Sequence, residues 1–375
     1  MKEFVLIDHE PWTLRRKQLF YDLFDKAGIS LEVWDLSQWL YPGLQNPEGI
    51  AHASYLHKIE NESEFVDLLQ HKNPSDTVFV EEIFHQWQNR SIFKHLSKRG
   101  FSTIKIELYG NTIIDQSIWD KVLNLKLNHL SKMIIGKINS IRFKIFNRIN
   151  GIDDCPKLIF SSNAFMPRTN GFNHPDYEKL MFNEVPRIIE TDYIVFCDIY
   201  FPYHSDLTYF LKLKKFPDGK KYQERMRMYF DFLEEKYNIP VVIAAHPKSN
   251  YKGGEFGNRE IIKYHTDSLV KYSKMVTMHI CNTISYAILC NKPIAYIVTD
   301  DYLSFPNIQR QLNVLVNKAL GLDYYNIDDA GFETKLKFTT IDPNRRNKYI
   351  YSYLTSKETE KIPNSQTVYK VLSAI

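Results

Sequence analysis

The sequence lacks most of the short motifs that identify a familiar chemistry. It has no GxxxxGK(S/T) loop, and no GxGxxG follows its first apolar segment, so neither a P-loop nor a standard dinucleotide site is predicted. The GxSxG and HExxH motifs are also missing, which removes the usual serine-hydrolase and zinc-protease classes. No Asp-x-Asp occurs, so we expect no metal-bridged diphosphate site, and the sequence predicts neither a bound metal nor a cofactor.

Cysteine pairs, long apolar runs and a strong charge of one sign are absent as well. The four cysteines form no CxxC pair, and three lie in apolar segments, which predicts reduced, buried thiols. No stretch approaches 18 apolar residues, and the first residues lack the apolar core and cleavage site of a signal peptide. The net charge of +4 is too small to indicate a nucleic-acid partner. A cytoplasmic location is therefore expected.

What the sequence contains is an alternation of strand and helix patterns. Hydrophobic residues make up 44% of the 375 residues and charged residues 25%, which is an ordinary globular balance. The chain opens with a strand pattern over 4–7, a helix over 13–27 and a strand over 31–34, and further strand patterns follow at 77–80 and 103–107. This βαβ opening predicts a parallel sheet covered by helices. We assign it to an N-terminal domain over 1–155.

A second alternating series occupies the rest of the chain. Its strand patterns are at 158–161, 193–197, 240–245, 275–279 and 293–298. We therefore predict an α/β fold of two Rossmann-like domains facing each other across a cleft, with the C-terminal domain over 156–375. Whether the last helices pack back on the N-terminal domain is left open.

Between residues 121 and 150 the sequence is basic and has no acidic residue. Its basic residues are interleaved with apolar ones: Lys121, Lys126, Lys132, Lys137, Arg142, Lys144 and Arg148. A basic amphipathic segment of this kind can lie on an anionic membrane surface, which would give a peripheral contact with the inner membrane. The other interpretation is an exposed helix that covers part of the sheet, and we keep both.

The most informative segment is the strand pattern over 241–245, which ends directly in His246, Pro247 and Lys248. Ligands of open α/β sheets bind at the carboxyl ends of the strands. Proline cannot continue the hydrogen-bond ladder, so Pro247 ends the strand and fixes the chain direction just after the imidazole. His246 and Lys248 are therefore candidates to bind a phosphate.

The next strand pattern, over 275–279, leads into a second candidate phosphate site. Asn282, Thr283 and Ser285 lie where a helix should begin. Their polar side chains and the free N–H groups of a helix N-terminus would suit an anion, although simple helix capping uses the same residue types. We expect this site beside the one at His246, on neighbouring strand ends.

A third polar group follows the strand pattern over 193–197. Asp198, His204 and Asp206 are expected near the same sheet edge. They would bind sugar hydroxyls or transfer protons, and the aspartates would serve equally well as loop and capping residues.

The chain resembles two-domain (GT-B type) bacterial glycosyltransferases in three features: two α/β domains, a His-Pro at the end of a strand, and a helix start that contains Ser and Thr. The group that this chain resembles uses CMP-activated 2-keto sugar acids: sialyltransferases, Kdo transferases and pseudaminic or legionaminic acid transferases. The likeness is at the level of motifs over 158–300, and it departs from the Ser-Ser/Thr pair of that group because Cys281 and Asn282 precede Thr283. The resemblance implies that His246, Thr283 and Ser285 contact the CMP phosphate.

The function that this resemblance implies is metal-independent sugar transfer from a CMP donor to a capsule, lipopolysaccharide or lipid-linked glycan acceptor. An inverting reaction would need a general base from the first domain, for which Glu107 and Glu82 are preferred over Asp8 and Glu81 at other predicted strand ends; a retaining reaction would need none. A UDP- or GDP-sugar transferase, a non-catalytic nucleotide- or carbohydrate-binding assembly protein and a sugar-nucleotide epimerase remain the alternatives.

Overall fold

The structure is a computed structural model that describes residues 2–44, 49–111, 130–205, 207, 216–305 and 308–375, with side chains of 130–136 excepted. The described residues divide into two compact units. The first holds residues 2–108, 130–173 and 356–375, and the second holds 109–111 and 174–355. In these ranges no helix is long and apolar enough to cross a bilayer. Asp206 and residues 121–129 of the basic segment lie outside the described residues.

The first unit is built on a parallel sheet with the strand order β3-β2-β1-β4-β5-β6-β7. Its strands are β1 Glu3–Asp8, β2 Leu31–Asp35, β3 Leu56–Lys58, β4 Thr77–Glu82, β5 Ser102–Glu107, β6 Leu158–Ser161 and β7 Asn170–Gly171. β1 and β4 are buried nearly throughout because helices cover both faces of a parallel sheet. β1, β4 and β5 are neighbours, so their carboxyl ends lie side by side.

The helices of the first unit follow the predicted alternation. They are α1 Leu14–Arg16, α2 Asp22–Lys26, α3 Ser37–Leu40, α4 Glu62–Gln70, α5 Arg90–Lys98 and α6 Leu130–Asn150. Thr13 begins α1 by accepting a hydrogen bond from the Arg16 N–H, and a π-helical turn over Lys17–Tyr21 joins α1 to α2. The helix ends before Gly28, whose φ of 69° is a left-handed conformation that glycine adopts without strain.

The second unit is built on a parallel sheet with the order β10-β9-β8-β11-β12-β13. Its strands are β8 Ile194–Cys197, β9 Val241–Ala245, β10 Ile261–Lys263, β11 Met275–Met278, β12 Ile294–Val298 and β13 Tyr324–Asn326. Its helices are α7 Pro175–Phe182, α8 Gly219–Tyr237, α9 Thr266–Tyr272, α10 Ile284–Leu289, α11 Asp300–Leu303, α12 Ile308–Gln311, α13 Phe332–Lys335 and α14 Pro343–Tyr349. π-Helical turns over Leu312–Leu320 and Ile350–Leu354 extend α12 and α14. The buried strands and helix faces form one apolar core.

The order of the second sheet corrects one prediction. We expected His246 and the Thr283 segment on neighbouring strands, but β8 lies between β9 and β11 and pairs with both. His246, after β9, and the Thr283 segment, after β11, therefore lie at the same edge of the sheet, and the segment that follows β8 lies between them. With adjacent strands about 4.8 Å apart, the ends of β9 and β11 are separated by about 10 Å.

The boundary between the domains also differs from the predicted position at residue 155. β6 was assigned to the second domain, but it pairs in parallel with β5 in the first sheet. β7 extends the same sheet, so the first unit continues to residue 173. The strand with which β6 pairs decides the sheet to which it belongs, and its position in the sequence does not reveal that partner.

The chain ends with helix α15, Asn364–Leu372, which belongs to the first unit. Val368 and Leu372 of α15 are buried there. Asn364 accepts a hydrogen bond from the Asn173 backbone N–H through its side-chain oxygen and returns one from its amide to the Asn173 carbonyl, each 2.8 Å long. The last twenty residues thus pack against the rest of the first unit and form buried hydrogen bonds with it.

Candidate active site

The carboxyl edge of the second sheet brings His246, Asp198 and His204 together. β9 ends at Ala245, and the next residue, His246, donates its backbone N–H to Asp198 Oδ2 over 3.3 Å. The His246 Nε2 atom lies 3.3 Å from His204 Nε2. Pro247 then begins a turn that is closed by the Ser249 N–H and the His246 carbonyl. These three predicted residues therefore form one cluster.

The hydrogen bonds assign the tautomer of His246. Its Nδ1 accepts the backbone N–H of Lys248 over 3.1 Å, so the neutral imidazole carries its proton on Nε2. That Nε2–H points at His204 Nε2, which therefore acts as the acceptor. The backbone of Lys248 thus orients a ring N–H donor at the sheet edge. A phosphate oxygen could take the place of His204 as the acceptor of this hydrogen bond.

Asp198 connects this cluster to the loop after β9. Its Oδ1 accepts the Tyr200 N–H over 2.9 Å, and its Oδ2 accepts the Tyr251 hydroxyl over 3.0 Å in addition to the His246 N–H. Burial raises the pKa of Asp198 to about 6, against the lowering effect of these hydrogen bonds. The carboxylate contacts protein groups in this structure, so what is visible is a positioning role; a catalytic role stays a prediction.

A cavity of about 400 Å³ is lined by the residues that continue from this cluster. Its lining includes Ser249, Lys252, Arg259 and Lys263. Lys263 donates to the Ser249 carbonyl over 2.8 Å, while Arg259 pairs with acidic residues of α8. The Ser249 Oγ is buried and has no hydrogen-bond partner among the residues that the structure describes. Basic side chains therefore line this cavity, although Arg259 is engaged by acidic residues and Lys263 by a carbonyl group.

The segment that follows β11 gives a less open site than we expected. Ser285 is fully buried, and its Oγ contacts the Asp176 carboxylate and lies 2.8 Å from the Asn282 carbonyl. Thr283 precedes α10 without a capping hydrogen bond from its side chain, and its hydroxyl lies 2.7 Å from the Cys281 sulfur. The Ser285 hydroxyl is thus engaged by protein atoms. The predicted phosphate contacts of Asn282, Thr283 and Ser285 stay predictions.

His279 is a histidine of this edge to which sequence analysis gave no role. It is fully buried, accepts the Tyr222 hydroxyl through Nε2 and donates through Nδ1 to the Ile297 carbonyl, both over 2.8 Å. Burial lowers its pKa to about 4, so the imidazole is neutral at neutral pH. His279 and His246 each directly follow a strand, and burial distinguishes the structural His279 from the partly accessible His246.

In the first unit, Glu82 lies in a buried ionic cluster at the ends of β1 and β4. Asp8 and Glu82 are partners in the register of these strands. Arg16 contacts Asp8 Oδ2 through Nε at 2.7 Å and Glu82 Oε2 through Nη2 at 3.4 Å. Burial raises the pKa of Glu82 to about 8 against the opposing charge of Arg16, and the Asp8 carboxyl adds to the rise. Glu82 is thus largely protonated at neutral pH. Its pKa suits a general base that works at a pH slightly above neutral.

The other carboxyl candidates of this edge have different surroundings. Glu107, at the end of β5, forms an ion pair of 3.1 Å with Lys105. Glu81 points to the opposite face of the sheet from Glu82 because side chains alternate along a strand. It is fully buried there and bonds to His85 Nε2 over 2.7 Å. Glu82 thus combines a position at a strand end with a pKa of about 8.

No protein-family model and no curated protein matches this chain. Several solved structures match it in fold. The glycosyltransferase SnogD from Streptomyces nogalater has a TM-score of 0.51 and 10% identity over 100% of both chains. The spinosyn rhamnosyltransferase SpnG, complexed with thymidine diphosphate, gives the same three values. A histidine variant of the wall teichoic acid polymerase TagF has a TM-score of 0.53 and 10% identity over 100% of this chain and 88% of the other.

At 10% sequence identity, the similarity to these solved structures extends to the fold alone. The chain has two α/β units with parallel sheets of seven and six strands among its described residues, and it shares this fold with the glycosyltransferases SnogD and SpnG. The predicted fold class, α/β of the GT-B type, is confirmed.

Proposed function

We propose that this chain is a glycosyltransferase that moves a sugar from a nucleotide-activated donor to a hydroxyl acceptor. The observation that carries the proposal is the cluster of His246, His204 and Asp198 at the carboxyl edge of the second sheet. The fold that this chain shares with SnogD and SpnG supports the reaction class, and the thymidine diphosphate bound to SpnG supports a nucleotide-sugar donor. Ligands of open α/β sheets bind at this edge.

The chemistry of the transfer explains why an imidazole belongs at this position. The acceptor oxygen forms a bond to the anomeric carbon while the bond from that carbon to the phosphate oxygen breaks. The electron pair leaves with the phosphate, so negative charge grows on its oxygens. The His246 Nε2–H, oriented by Lys248, would donate to one of these oxygens and stabilise the leaving group.

His204 would add to this stabilisation. Once a phosphate oxygen accepts the hydrogen bond from the His246 Nε2–H, the Nε2 of His204 no longer accepts it and, in the tautomer that carries its proton on this atom, can donate to the phosphate as well. A second ring N–H donor would then face the leaving phosphate. Asp198 would hold the backbone of His246 in place throughout, as a positioning residue.

For the donor we propose a CMP-linked 2-keto sugar acid, and for the acceptor a surface glycan or lipid-linked glycan. A CMP donor has one phosphate, which the His246 ring N–H and Lys248 would bind without a metal ion, with the segment around Thr283 as a further predicted contact. The support for CMP over other nucleotides is the sequence resemblance over 158–300. For the first unit we propose that Glu82 accepts the proton of the acceptor hydroxyl, in keeping with its raised pKa.

The test of the reaction class is the variant His246→Ala. Loss of one oriented donor to a developing oxyanion lowers kcat by about 10²- to 10³-fold, and we expect a loss of that size in sugar transfer to a glycan acceptor. The control is His52→Ala, because His52 is an exposed histidine of the first unit. Turnover by His246→Ala at the wild-type rate would contradict the proposed role. Binding of a donor without any transfer would indicate a non-catalytic nucleotide-binding protein.

The test of the donor is a panel of CMP, UDP, GDP and TDP in thermal unfolding. At equal concentrations the nucleotide with the lowest Kd stabilises the folded state most, by about 2.7 kcal/mol when its concentration is about 100 times its Kd, and so gives the largest rise in Tm. We expect that nucleotide to be CMP. A larger rise with UDP, GDP or TDP would overturn the CMP assignment and leave the reaction class intact.

A further inference from the structure

One face of helix α6 packs against other residues of the first unit. Phe143 is only 3% exposed, and its ring packs edge-on against Phe93 with centroids 5.6 Å apart. Phe146 packs in the same way against Trp87 at 5.7 Å. Asn147 is buried on the same side. The helix is therefore held in a fixed orientation over its last two turns.

The opposite face of α6 carries a row of exposed isoleucines. Ile138, Ile141, Ile145 and Ile149 are 49%, 55%, 52% and 79% exposed. Their spacing of three, four and four residues places them in one stripe, on the side of the helix away from Phe143. We call these four residues the isoleucine stripe. Single exposed apolar residues are common on protein surfaces, but a continuous stripe marks an interaction site.

The charges beside the isoleucine stripe are all positive. Lys137, Arg142, Lys144 and Arg148 are exposed on the same helix. At 100° per residue, Lys137, Lys144 and Arg148 flank the stripe on one side and Arg142 flanks it on the other. The sequence from 121 to 150 contains no acidic residue. The exposed charges that α6 itself places beside the stripe are therefore of one sign.

We propose that the isoleucine stripe and its basic flanks dock this protein on an anionic lipid surface. Apolar side chains on one helix face would enter the boundary between headgroups and acyl chains, and Lys137, Lys144 and Arg148 beside them would contact anionic headgroups. A second copy of the chain fits less well. Two stripes packed together would bring Lys137, Lys144 and Arg148 of each copy toward positive charges of the other. The inference goes beyond sugar transfer and does not depend on the identity of the donor.

The experiment measures cosedimentation of the full chain with lipid vesicles, without donor or acceptor. One vesicle preparation contains only a zwitterionic phosphocholine lipid, and the other contains the same lipid mixed with an anionic phosphoglycerol lipid. We expect binding to the mixed vesicles and at least tenfold weaker binding to the zwitterionic ones. Equal binding to both, or binding to neither, would overturn the proposal.

Two pairs of variants separate the apolar and electrostatic contributions. Ile145→Ser with Ile149→Ser shortens the stripe and should weaken binding at least tenfold, while Met228→Ser, at a residue of α8 that is 61% exposed, should not. Lys144→Gln with Arg148→Gln should weaken binding about fivefold per charge, which corresponds to about 1 kcal/mol for each basic residue near an anionic surface. The matched control, Lys220→Gln with Lys221→Gln, removes two exposed charges of α8.

A third variant reports the docking directly and guards against a trivial failure to fold. Ile149→Trp places a fluorophore at the most exposed position of the stripe. The emission of the variant minus that of the wild-type chain isolates the new indole from the native tryptophans. This difference spectrum should shift to shorter wavelength when anionic vesicles are added, because the indole enters a less polar environment. An unchanged difference spectrum would contradict docking through the stripe. A dimer in light scattering that Ile145→Ser with Ile149→Ser dissolves, without vesicle binding, would show that a second copy is the partner instead.

Discussion

At the scale of single residues, the environment decides what a carboxyl group or a histidine can do. Glu81 and Glu82 are neighbours in β4, yet one is bonded to His85 and the other lies beside Arg16 and Asp8. His246 and His279 each follow a strand, yet His279 is fully buried while His246 is partly accessible. The chemistry of each residue therefore depends on the groups that surround its side chain and on how deeply it is buried.

The raised pKa of Glu82 predicts a pH dependence of transfer. A base must be ionised, and burial raises the pKa of Glu82 to about 8, so kcat/KM should rise with pH and level off above about 8. Glu82→Gln should lower kcat/KM by about 10²- to 10⁴-fold and remove the rise. Glu107→Gln, at the other candidate base, should leave the rise with pH in place. A wild-type profile that is flat between about pH 6 and 9 would exclude Glu82 as the base.

Ser285 gives a second prediction at the residue scale, on stability. Replacing Ser285 by Ala removes a buried hydroxyl from the Asp176 carboxylate, which is itself only 5% exposed. Leaving a buried polar group with one partner fewer costs about 1–3 kcal/mol, so the midpoint of urea unfolding should fall. The control is Ser304→Ala, at an exposed serine of the same unit. A large rise in donor KM with no change in the midpoint would instead favour a phosphate-binding role.

At the scale of elements, helix α8 shows how a local signal and long-range packing act together. Asp218 precedes the helix and accepts hydrogen bonds from the N–H groups of Lys220 and Lys221. Met226, Phe230 and other residues of one face are buried in the core of the second unit. Tyr222 of the same face hydrogen-bonds to His279 and so ties the helix to the strand ends.

The cap of α8 predicts a modest and selective loss of stability. Asp218→Ala should lower the free energy of unfolding by about 1 kcal/mol, because two backbone N–H groups lose their acceptor. Asp218→Asn should keep most of that stability, since asparagine caps helices about as well as aspartate. Both values follow from urea titration monitored by circular dichroism. Equal losses for the two variants would show that the negative charge matters more than the capping oxygen.

At the scale of the whole molecule, the chain returns to its first unit after completing the second. Residues 356–375 belong to the first unit although they come last in the sequence. Their attachment depends on the paired hydrogen bonds of Asn173 and Asn364 and on the burial of Val368 and Leu372. The stability of the first unit therefore depends on both ends of the chain.

This dependence can be measured at Asn364. Asn364→Ala removes two buried hydrogen bonds to the Asn173 backbone, at about 1–3 kcal/mol for each group left unsatisfied. Trp12 and Trp34 are buried in the first unit, so tryptophan fluorescence should report the lowered urea midpoint. The control, Gln366→Ala, changes an exposed residue of the same helix. An unchanged midpoint for Asn364→Ala would mean that the last helix contributes little to the first unit.

The sequence by itself determined the local structure and the class of fold. The period of apolar residues placed β1, β4, β8 and β9, because burial on both faces requires a continuous apolar strand. It also placed His246, Pro247 and Asp198 at strand ends, where the hydrogen-bond ladder stops. These features follow from neighbouring residues, so a single sequence is enough to predict them.

Only the tertiary structure decided which strands are neighbours and which polar groups are buried. It placed β8 between β9 and β11, joined β6 to the first sheet, and enclosed His279 and Ser285 while leaving His246 partly accessible. The physical reason is that strand order and burial depend on contacts between residues far apart in the chain. Those contacts are chosen by the packing of whole apolar faces, which no short stretch of the sequence specifies.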